Sequence, residues 1–183
     1  MDNDLPEGPA PNLFLVGAPK CGTTSLYEYL RQHPQIFFPA DENDYWRAKE
    51  PNHFCPELEI QEKYSIKDER NYLKLYQGSG TATWRGDASP YYLLSESAPE
   101  RIKQRCPGAH ILITLRPPVD MMRSYHRDLV HIQLEDTVDF YDAIGVDTTP
   151  DGELFIRQSD RIPKYRDYFS IGRFAPQVER YLS

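Results

Sequence analysis

The sequence predicts an α/β fold in which a parallel sheet is flanked by helices on both faces. Segments 13–17, 81–88 and 109–115 are rich in apolar and β-favouring residues, and helical patterns lie between them. The first and third segments are nearly continuous apolar runs. Such runs are typical of strands whose two faces are both covered, as in a parallel sheet.

The first helix is predicted from the spacing of its apolar residues. It opens at Thr23, with Leu26, Tyr29 and Leu30 on its inner face, and it ends before Pro34. Together with the preceding strand, this helix gives the chain a strand–loop–helix unit at its start.

Two further helices flank the second strand. Residues 65–77 carry tyrosines and leucines at helical spacing, and glycines follow them. Ser97 is the predicted N-cap of a helix from Ala98 to Arg105, with a proline early in the helix and Pro-Gly beyond its end.

After the third strand, Pro118 opens a helix that is predicted to run to about Leu134. The remaining predicted segments are a short helix over 140–144, a turn-rich stretch over 146–153, a helix over 154–169 with a break at Pro163, and a last helix over 174–182.

Length and composition predict one globular domain with a short arm before it. The chain has 183 residues, of which 39% are hydrophobic, and this is enough to build a core. Residues 1–11 are acidic and proline-rich without an apolar core segment, so we expect a disordered arm rather than a signal peptide. Residues 12–183 are then the α/β domain.

Charge and cysteine content narrow the classes of function. The net charge of −7 argues against nucleic-acid binding, and no apolar stretch reaches the ~18 residues that a membrane segment needs. Cys21, Cys55 and Cys106 lack the spacing of a zinc site or a disulfide framework. We therefore expect a reducing, cytoplasmic location; the oligomeric state stays open.

The segment from Gly17 to Gly22 has the G-x-x-x-x-G spacing of a P-loop and lies between a strand and a helix. Amide groups of such a loop, and of the first helical turn at Thr23, Thr24 and Ser25, have no intrahelical partner and can bind an anion. The helix dipole adds positive charge at the same place. The sequence therefore predicts a P-loop-like phosphate cradle.

This loop departs from the usual nucleotide-binding pattern. Thr23 stands where a Walker A loop has its lysine, and the loop lysine is Lys20. A cradle without the usual lysine and metal-binding hydroxyl suggests a nucleotide whose transferred group needs no Mg²⁺. We predict that no metal is required.

A second candidate site follows the third strand. Arg116 leaves the strand, and Ser124 lies eight residues further along, in the next helix. A guanidinium fork and a hydroxyl group suit a phosphate monoester. In a parallel sheet, Lys20, residues 87–89 and Arg116 are expected at the carboxyl-end rim, where ligands bind.

A third candidate is Lys49-Glu50-Pro51, in a polar loop. A glutamate beside a lysine on a loop near the rim can act as a general base, with positive charge close by. Glu50 is therefore a candidate base. Asp87, Tyr91 and Tyr92 could contact a substrate or pack in the core.

The run from Gly17 to Leu26, Gly-Ala-Pro-Lys-Cys-Gly-Thr-Thr-Ser-Leu, resembles the 5′-phosphosulfate-binding loop of sulfotransferases, most of all heparan-sulfate-type and bacterial members. The resemblance covers residues 12–182. It implies transfer of a sulfuryl group from 3′-phosphoadenosine 5′-phosphosulfate (PAPS) to a hydroxyl or amine of a glycan or small molecule.

The resemblance also implies roles for individual residues. Lys20 would contact the bridging and sulfuryl oxygens, and Cys21, Gly22, Thr23, Thr24 and Ser25 would line the 5′-phosphate site. Arg116 and Ser124 would bind the 3′-phosphate, although Pro117 stands where Asp is common. Lys49-Glu50-Pro51 is similar to the segment that supplies the base, which implies Glu50 as a catalytic residue beside Lys20. His53 is a rival for the role of base, because other sulfotransferases use a histidine.

Two departures from the family pattern affect these expectations. The segment 86–92 lacks a lysine that contacts the sugar chain in many heparan-type members. The family pattern also continues beyond residue 182 with another strand, further helices and a C-terminal loop, so we expect the domain to lack these, either as a fragment of a longer protein or as a natural truncation. A non-catalytic nucleotide-binding remnant is therefore one alternative, and a P-loop kinase or NTPase is another.

Overall fold

The computed structural model of the chain describes residues 9–148, 154–156 and 167–182. It divides into two compact units, one made of residues 1–115 and 176–183, the other of residues 116–175. Most of the predicted arm, 1–11, and the predicted break at Pro163 lie outside the described residues.

The first unit contains a sheet of four parallel strands, which confirms the predicted fold class. The strands are β1 (Leu13–Gly17), β2 (Ile36–Phe37), β3 (Trp84–Asp87) and β4 (His110–Ile113), in the spatial order β2-β3-β1-β4. Three of them were predicted as strands. The fourth, β2, is a two-residue strand that pairs with β3 at the edge of the sheet.

Four helices lie between these strands. They are α1 (Thr23–Leu30), α2 (Tyr45–Lys49), α3 (Glu69–Lys74) and α4 (Ala98–Arg105). Single 3₁₀ turns flank α3 at Glu62–Tyr64 and Gln77–Ser79, so the helix predicted over 65–77 is shorter than expected.

Strand β1 is the centre of the core, and its two faces pack against different elements. Leu13 and Leu15 pack with Tyr27 of α1 on one face. Phe14 points to the other face, where its ring contacts Phe54 and Tyr92 at centroid distances of 5.8 and 6.4 Å. Both faces are therefore covered, which is why this strand is a continuous apolar run.

The inner face of α1 differs from the prediction. Tyr29 is 73% exposed, whereas Tyr27 is fully buried beside the half-buried Leu26 and Leu30. Residues two apart on a helix point in nearly opposite directions, about 200° apart, so Tyr27 and Tyr29 cannot share a face. The spacing of apolar residues does not decide which of the two tyrosines faces the core. Packing against Leu15 places Tyr27 there.

Two further predictions about α4 and β4 are corrected. Ser97 occupies the N-cap position of α4 but makes no capping bond; the Ser95 hydroxyl accepts the hydrogen bond from the amide of Ala98 at 2.9 Å. Strand β4 is only half-buried, and Leu115 beyond it is 48% exposed. The reason is that β4 is the edge strand among the described residues and packs on β1 alone.

The second unit contains α5 (Pro118–His131), α6 (Phe140–Ala143), β5 (Val146–Thr148), β6 (Leu154–Ile156) and α7 (Tyr168–Gly172). The helices α5 and α6 confirm their predictions within a few residues. Strands β5 and β6 form an antiparallel pair, so the turn-rich and helical predictions for these residues are wrong. A short run such as Leu-Phe-Ile fits helix or strand equally until its partner is known.

The last helix, α8 (Phe174–Leu182), has the predicted bounds. Its C-terminal half belongs to the first unit. The Arg180 guanidinium donates to the carbonyl oxygens of Leu93 and Leu94, and the Tyr181 hydroxyl donates to that of Tyr92. These bonds fix the helix to the chain that follows β3.

Candidate active site

The loop between β1 and α1 is shaped by two glycines with different constraints. Gly17 has φ +149°, and a Cβ there would lie 2.7 Å from the Pro90 oxygen and from Leu93 Cβ. Gly22, the N-cap of α1, has φ +85° and open space around it. Close packing therefore requires glycine at position 17, whereas position 22 requires only the left-handed backbone.

The N-terminus of α1 is open to an anion. It has no side-chain cap and no acidic residue in its first turn, where Thr23 is buried, Thr24 half-buried and Ser25 exposed. The amide of Leu26 makes the first helical bond, to Gly22 at 3.0 Å. The amides before it in the helix have no intrahelical acceptor, and with the helix dipole they favour a negative charge.

Lys20 lies in the middle of this loop with a left-handed backbone, φ 58°. A side-chain-bearing residue in this conformation is unfavourable by roughly 1–2 kcal/mol, and such strain occurs most often at functional positions. Lys20 is half-buried, and Cys21 beside it donates its amide to the Ala18 oxygen at 3.2 Å. The loop thus holds a cation two residues from the helix N-cap.

Glu50 directly follows α2 and forms a close ion pair with its neighbour. The Lys49 ammonium lies 2.5 Å from Glu50 Oε1; the Lys49 side chain is fully buried and the Glu50 side chain is 20% exposed. The ammonium also lies 5.5 Å from the Trp46 ring and 5.7 Å from the Tyr27 ring. A buried cation needs a counter-charge beside it, and this ion pair holds the Glu50 carboxylate in place.

The segment around Glu50 is tied to the carboxyl end of β3. The amide of Ala88 donates to the Lys49 carbonyl at 3.2 Å, and the amide of Asn52 donates to the Ser89 hydroxyl at 3.0 Å. The loop after β1 and the segment of Glu50 therefore lie at the same edge of the sheet, because β1 and β3 are parallel neighbours.

Asp87 anchors this edge from inside the protein. Its carboxylate accepts hydrogen bonds from the hydroxyls of Tyr72, Tyr92 and Ser89 at 2.7, 2.9 and 2.7 Å. Asp87 and Tyr92 are buried, so their role in this structure is in the core rather than in contact with a substrate. Burial raises the pKa of Asp87 to about 6.

The ring of His53 lies on the face of the sheet opposite α1. It stacks on Tyr72 at 4.2 Å with an interplanar angle of 6°, and its Nδ1 contacts the Ile66 carbonyl at 2.8 Å. Burial lowers the pKa of His53. The Lys49 ammonium, which pairs with Glu50, lies beside Tyr27 of α1. The two candidate bases, Glu50 and His53, are therefore next to different side chains.

Arg116 and Ser124 lie in the second unit. Arg116 is exposed, two residues before α5, and lines a cleft of about 480 Å³ with Arg123, Arg127 and Tyr141 among its neighbours. The Arg123 guanidinium donates to the Tyr141 hydroxyl at 2.6 Å. Ser124 is half-buried within α5 and does not line this cleft.

Sequence reasoning missed two features of the site. The burial of Lys49 could not be predicted from the sequence, where only its place next to Glu50 sets it apart. Ser89 links Asp87 to Asn52, and only its place after β3 could have indicated this. No disulfide joins Cys21, Cys55 or Cys106, and across the described ranges no three metal-binding side chains cluster. No helix in the described part is long and apolar enough to span a membrane.

Comparison with known proteins identifies relatives of this chain. The pattern that defines the sulfotransferase family matches residues 11–158. The chain is 33% identical over 67 residues to human carbohydrate sulfotransferase 15, which is 36% of this chain and 11% of that protein. It is 28% identical over 128 residues to the membrane-associated sulfotransferase kil1 of Dictyostelium discoideum, which is 63% of this chain and 22% of that protein.

Among solved structures, a sulfotransferase from Alicyclobacillus acidocaldarius matches this fold with a TM-score of 0.74 and 34% sequence identity. The match covers 95% of this chain and 68% of that one. The curated relatives are much longer, since the matched segments are 11% and 22% of their length.

Proposed function

The chain belongs to the sulfotransferase family, and on this premise we propose that it transfers a sulfuryl group from PAPS to an acceptor hydroxyl or amine. The observation that carries the proposal is the loop after β1. It combines a strained Lys20 with an uncapped helix N-terminus that has no acidic residue in its first turn. A 5′-phosphosulfate group is negatively charged, and it is stabilised by a cation and by backbone amides without another acceptor.

In this proposal the 5′ end of the co-substrate binds to the loop and the first turn of α1. Amides from Gly22 to Ser25 donate to the 5′-phosphate, and the hydroxyls of Thr24 and Ser25 are accessible for further hydrogen bonds. Lys20 stabilises the negative charge that develops on the oxygen between phosphorus and sulfur. Cys21 lines the same 5′-phosphate site as part of the loop.

Arg116 and Ser124 are proposed to bind the 3′-phosphate, although Ser124 does not line the cleft that Arg116 lines. The support is chemical: an exposed guanidinium directly before a helix can form two parallel hydrogen bonds with a phosphate monoester. Arg123 and Arg127 line the same cleft as Arg116, and with Asp120 and Asp139 also in its lining the positive charges still outnumber the negative ones.

Glu50 is proposed as the base, with Lys49 holding its carboxylate. Glu50 takes the proton of the acceptor, whose oxygen or nitrogen forms a bond to sulfur as the bond from sulfur to the 5′-phosphate oxygen breaks. The products are the sulfated acceptor and adenosine 3′,5′-bisphosphate, and the proton leaves through Glu50. The positive charge in this scheme comes from Lys20 and backbone amides, with no metal assigned.

The proposed acceptor is a carbohydrate or a small molecule. The carbohydrate is favoured because carbohydrate sulfotransferase 15 is among the relatives. We also propose a cytoplasmic location, on the ground of three cysteines without a disulfide pattern.

A thermal-shift titration with adenosine 3′,5′-bisphosphate, with and without EDTA, tests the co-substrate site. At about 100 times its dissociation constant, the ligand should stabilise the protein by about 2.7 kcal/mol. We expect this shift to persist in EDTA, and to be lost in Lys20→Gln and Arg116→Gln. Lys103→Gln, which removes an exposed positive charge from α4, is the control and should keep it.

Transfer of radiolabelled sulfate from PAPS to a panel of saccharides and phenols then tests turnover. A shift without transfer to any acceptor would support the non-catalytic remnant. A shift that requires Mg²⁺ and occurs with ATP would support a kinase or NTPase. A folded protein that shows no shift with either nucleotide would overturn the proposed site.

A further inference from the structure

The backbone on both sides of Glu50 is held by residues at the end of β3. The amide of Ala88 donates to the Lys49 carbonyl at 3.2 Å, directly before Glu50. The amide of Asn52 donates to the Ser89 hydroxyl at 3.0 Å, two residues after Glu50. Ala88 and Ser89 are fully buried, so the segment that carries the proposed base is attached at two points to the core.

The side chain of Asn52 closes the turn that follows Glu50. Its Nδ2 donates to the Glu50 carbonyl at 2.9 Å and to the Tyr64 carbonyl at 3.0 Å. The backbone of Asn52 is left-handed, with φ 47°, a conformation that asparagine adopts more readily than most other side-chain-bearing residues. The conformation at Glu50 therefore depends on where the backbone of Asn52 is held.

Two buried hydroxyl groups bind three successive amides of this segment. The Ser89 hydroxyl accepts from the amide of Asn52, and the Tyr92 hydroxyl accepts from the amides of His53 and Phe54 at 2.9 and 3.4 Å. A backbone amide can only donate, so each hydroxyl must turn a lone pair towards it. The single proton of each hydroxyl then needs an acceptor elsewhere.

Asp87 is the acceptor for both hydroxyl protons. Its Oδ1 accepts from the hydroxyl and the amide of Ser89 at 2.7 and 3.1 Å. Its Oδ2 accepts from the hydroxyls of Tyr72 and Tyr92 at 2.7 and 2.9 Å. An ionised carboxylate has acceptor sites only, and these four donors occupy them. Asp87 therefore sets the direction of the Ser89 and Tyr92 protons, and with it the direction of their lone pairs.

We propose that Asp87 is a positioning residue for Glu50, acting through the hydroxyls of Ser89 and Tyr92 on the amides of residues 52–54. The inference rests on the proposed function, since it concerns Glu50 as the base. Asp87 is 1% exposed and does not touch the substrate. Its role is to keep the turn after Glu50 in one conformation, because misplacing a reacting group by about 1 Å can cost about 10²-fold in rate.

An asparagine at position 87 could not direct these protons in the same way. The Ser89 amide donates to Oδ1, so an asparagine must keep its oxygen there and turn its NH₂ group to the place of Oδ2. An NH₂ group donates and does not accept, so the hydroxyl protons of Tyr72 and Tyr92 lose their acceptor. We expect the Tyr92 hydroxyl to rotate and to release the amides that it holds.

Tyr92→Phe and Tyr72→Phe are a matched pair for testing this role. Both tyrosines are buried and donate to Oδ2 of Asp87, but the Tyr72 hydroxyl accepts from Tyr76 at 3.4 Å rather than from the segment after Glu50. Tyr92→Phe should lower kcat for sulfate transfer about tenfold, with unchanged affinity for adenosine 3′,5′-bisphosphate. Tyr72→Phe should lower the unfolding midpoint to a similar extent but keep kcat within about twofold.

Ser89→Ala and Asp87→Asn extend the series to the other two members of the network. Each should lower kcat about tenfold or more and leave the affinity for adenosine 3′,5′-bisphosphate unchanged. Ser89→Ala and Tyr92→Phe keep the carboxylate in place, so they decide the question even if Asp87→Asn does not fold.

The same substitutions in Glu50→Gln show whether their effect passes through the base. If it does, adding Tyr92→Phe to Glu50→Gln changes the residual rate less than about twofold, because the positioned group is already absent. A full tenfold loss in that background would overturn the inference. So would unchanged kcat in Tyr92→Phe, or equal losses of kcat in Tyr72→Phe and Tyr92→Phe.

Amide hydrogen exchange, measured by NMR, tests the geometry without turnover. The amides of residues 52–54 should exchange at least about tenfold faster in Tyr92→Phe than in Tyr72→Phe, because only Tyr92 binds amides of this segment. Equal exchange in the two variants would overturn the inference even if sulfate is transferred. If the wild type transfers no sulfate, the proposed function fails, and a difference in exchange still shows that the network of Asp87 orders this turn.

Discussion

The Lys49 ammonium lies 2.5 Å from Oε1 of Glu50, and the Lys49 side chain is fully buried while Glu50 reaches solvent. A buried ammonium needs a counter-charge, and here the counter-charge is the proposed base. The pair therefore couples the packing of α2 to the position of the carboxylate that we propose as the base.

Glu50→Gln should reduce sulfate transfer about 10²–10⁴-fold, because the amide cannot accept the acceptor proton. Affinity for adenosine 3′,5′-bisphosphate should stay unchanged. Initial-rate measurements and a nucleotide titration on the same preparation check this. His53→Gln is the comparison and should keep most of the rate, since the His53 ring stacks on Tyr72 and its Nδ1 is bonded to the Ile66 carbonyl. Loss of turnover in His53→Gln with full turnover in Glu50→Gln would show that the base is His53.

Lys49→Met keeps the volume of the side chain and removes the charge. We expect kcat to fall at least about tenfold, because the Glu50 carboxylate loses its positioning partner. The free energy of unfolding should change by only about 1–2 kcal/mol, less than for a fully buried pair, since Glu50 is partly hydrated.

Urea unfolding of Lys49→Met, Glu50→Gln and the double variant measures this coupling. The double variant should recover stability relative to Lys49→Met but not activity. Full activity in Lys49→Met would contradict the positioning role.

Gly17→Ala should destabilise the protein by about 2–4 kcal/mol, because the new Cβ meets Pro90 and Leu93 at 2.7 Å and the backbone has φ +149°. Gly22→Ala should cost about 1 kcal/mol, since its surroundings are open and only the left-handed backbone is unfavourable. Chemical unfolding of both variants checks the order. Equal costs would mean that the loop relaxes away from Pro90 and Leu93.

The carboxyl group of Asp87 should make stability depend on pH. Because its pKa is raised from 3.8 to about 6 in the folded protein, its contribution is complete below about pH 4 and is lost as pH rises through about 6. The stability of the wild type relative to Asp87→Asn should fall by up to about 3 kcal/mol between pH 4 and pH 7. Urea unfolding of both proteins at several pH values measures this difference. The pH dependence that comes from other titrating groups is the same in both proteins and therefore cancels. A difference that does not change with pH would show that Asp87 stays ionised.

The sequence alone was sufficient for the α/β class, for the loop between Gly17 and Thr23, and for the bounds of α4 and α8. These features depend on local signals: a continuous apolar run, glycine spacing, a proline early in a helix and Pro-Gly after one. The same signals failed for β5 and β6, since three-residue runs acquire their conformation from the strand beside them.

Tertiary structure decided which side chains act together. Spacing could not select Tyr27 over Tyr29 for the core, and no local pattern shows that Lys49 is buried or that Asp87 binds two tyrosine hydroxyls. It also could not show that Asn52 and Ser89 share a hydrogen bond, since 37 positions separate them in the sequence. Such contacts join residues far apart in the chain, and they exist only after β1, β3 and β4 have paired and their faces have been covered.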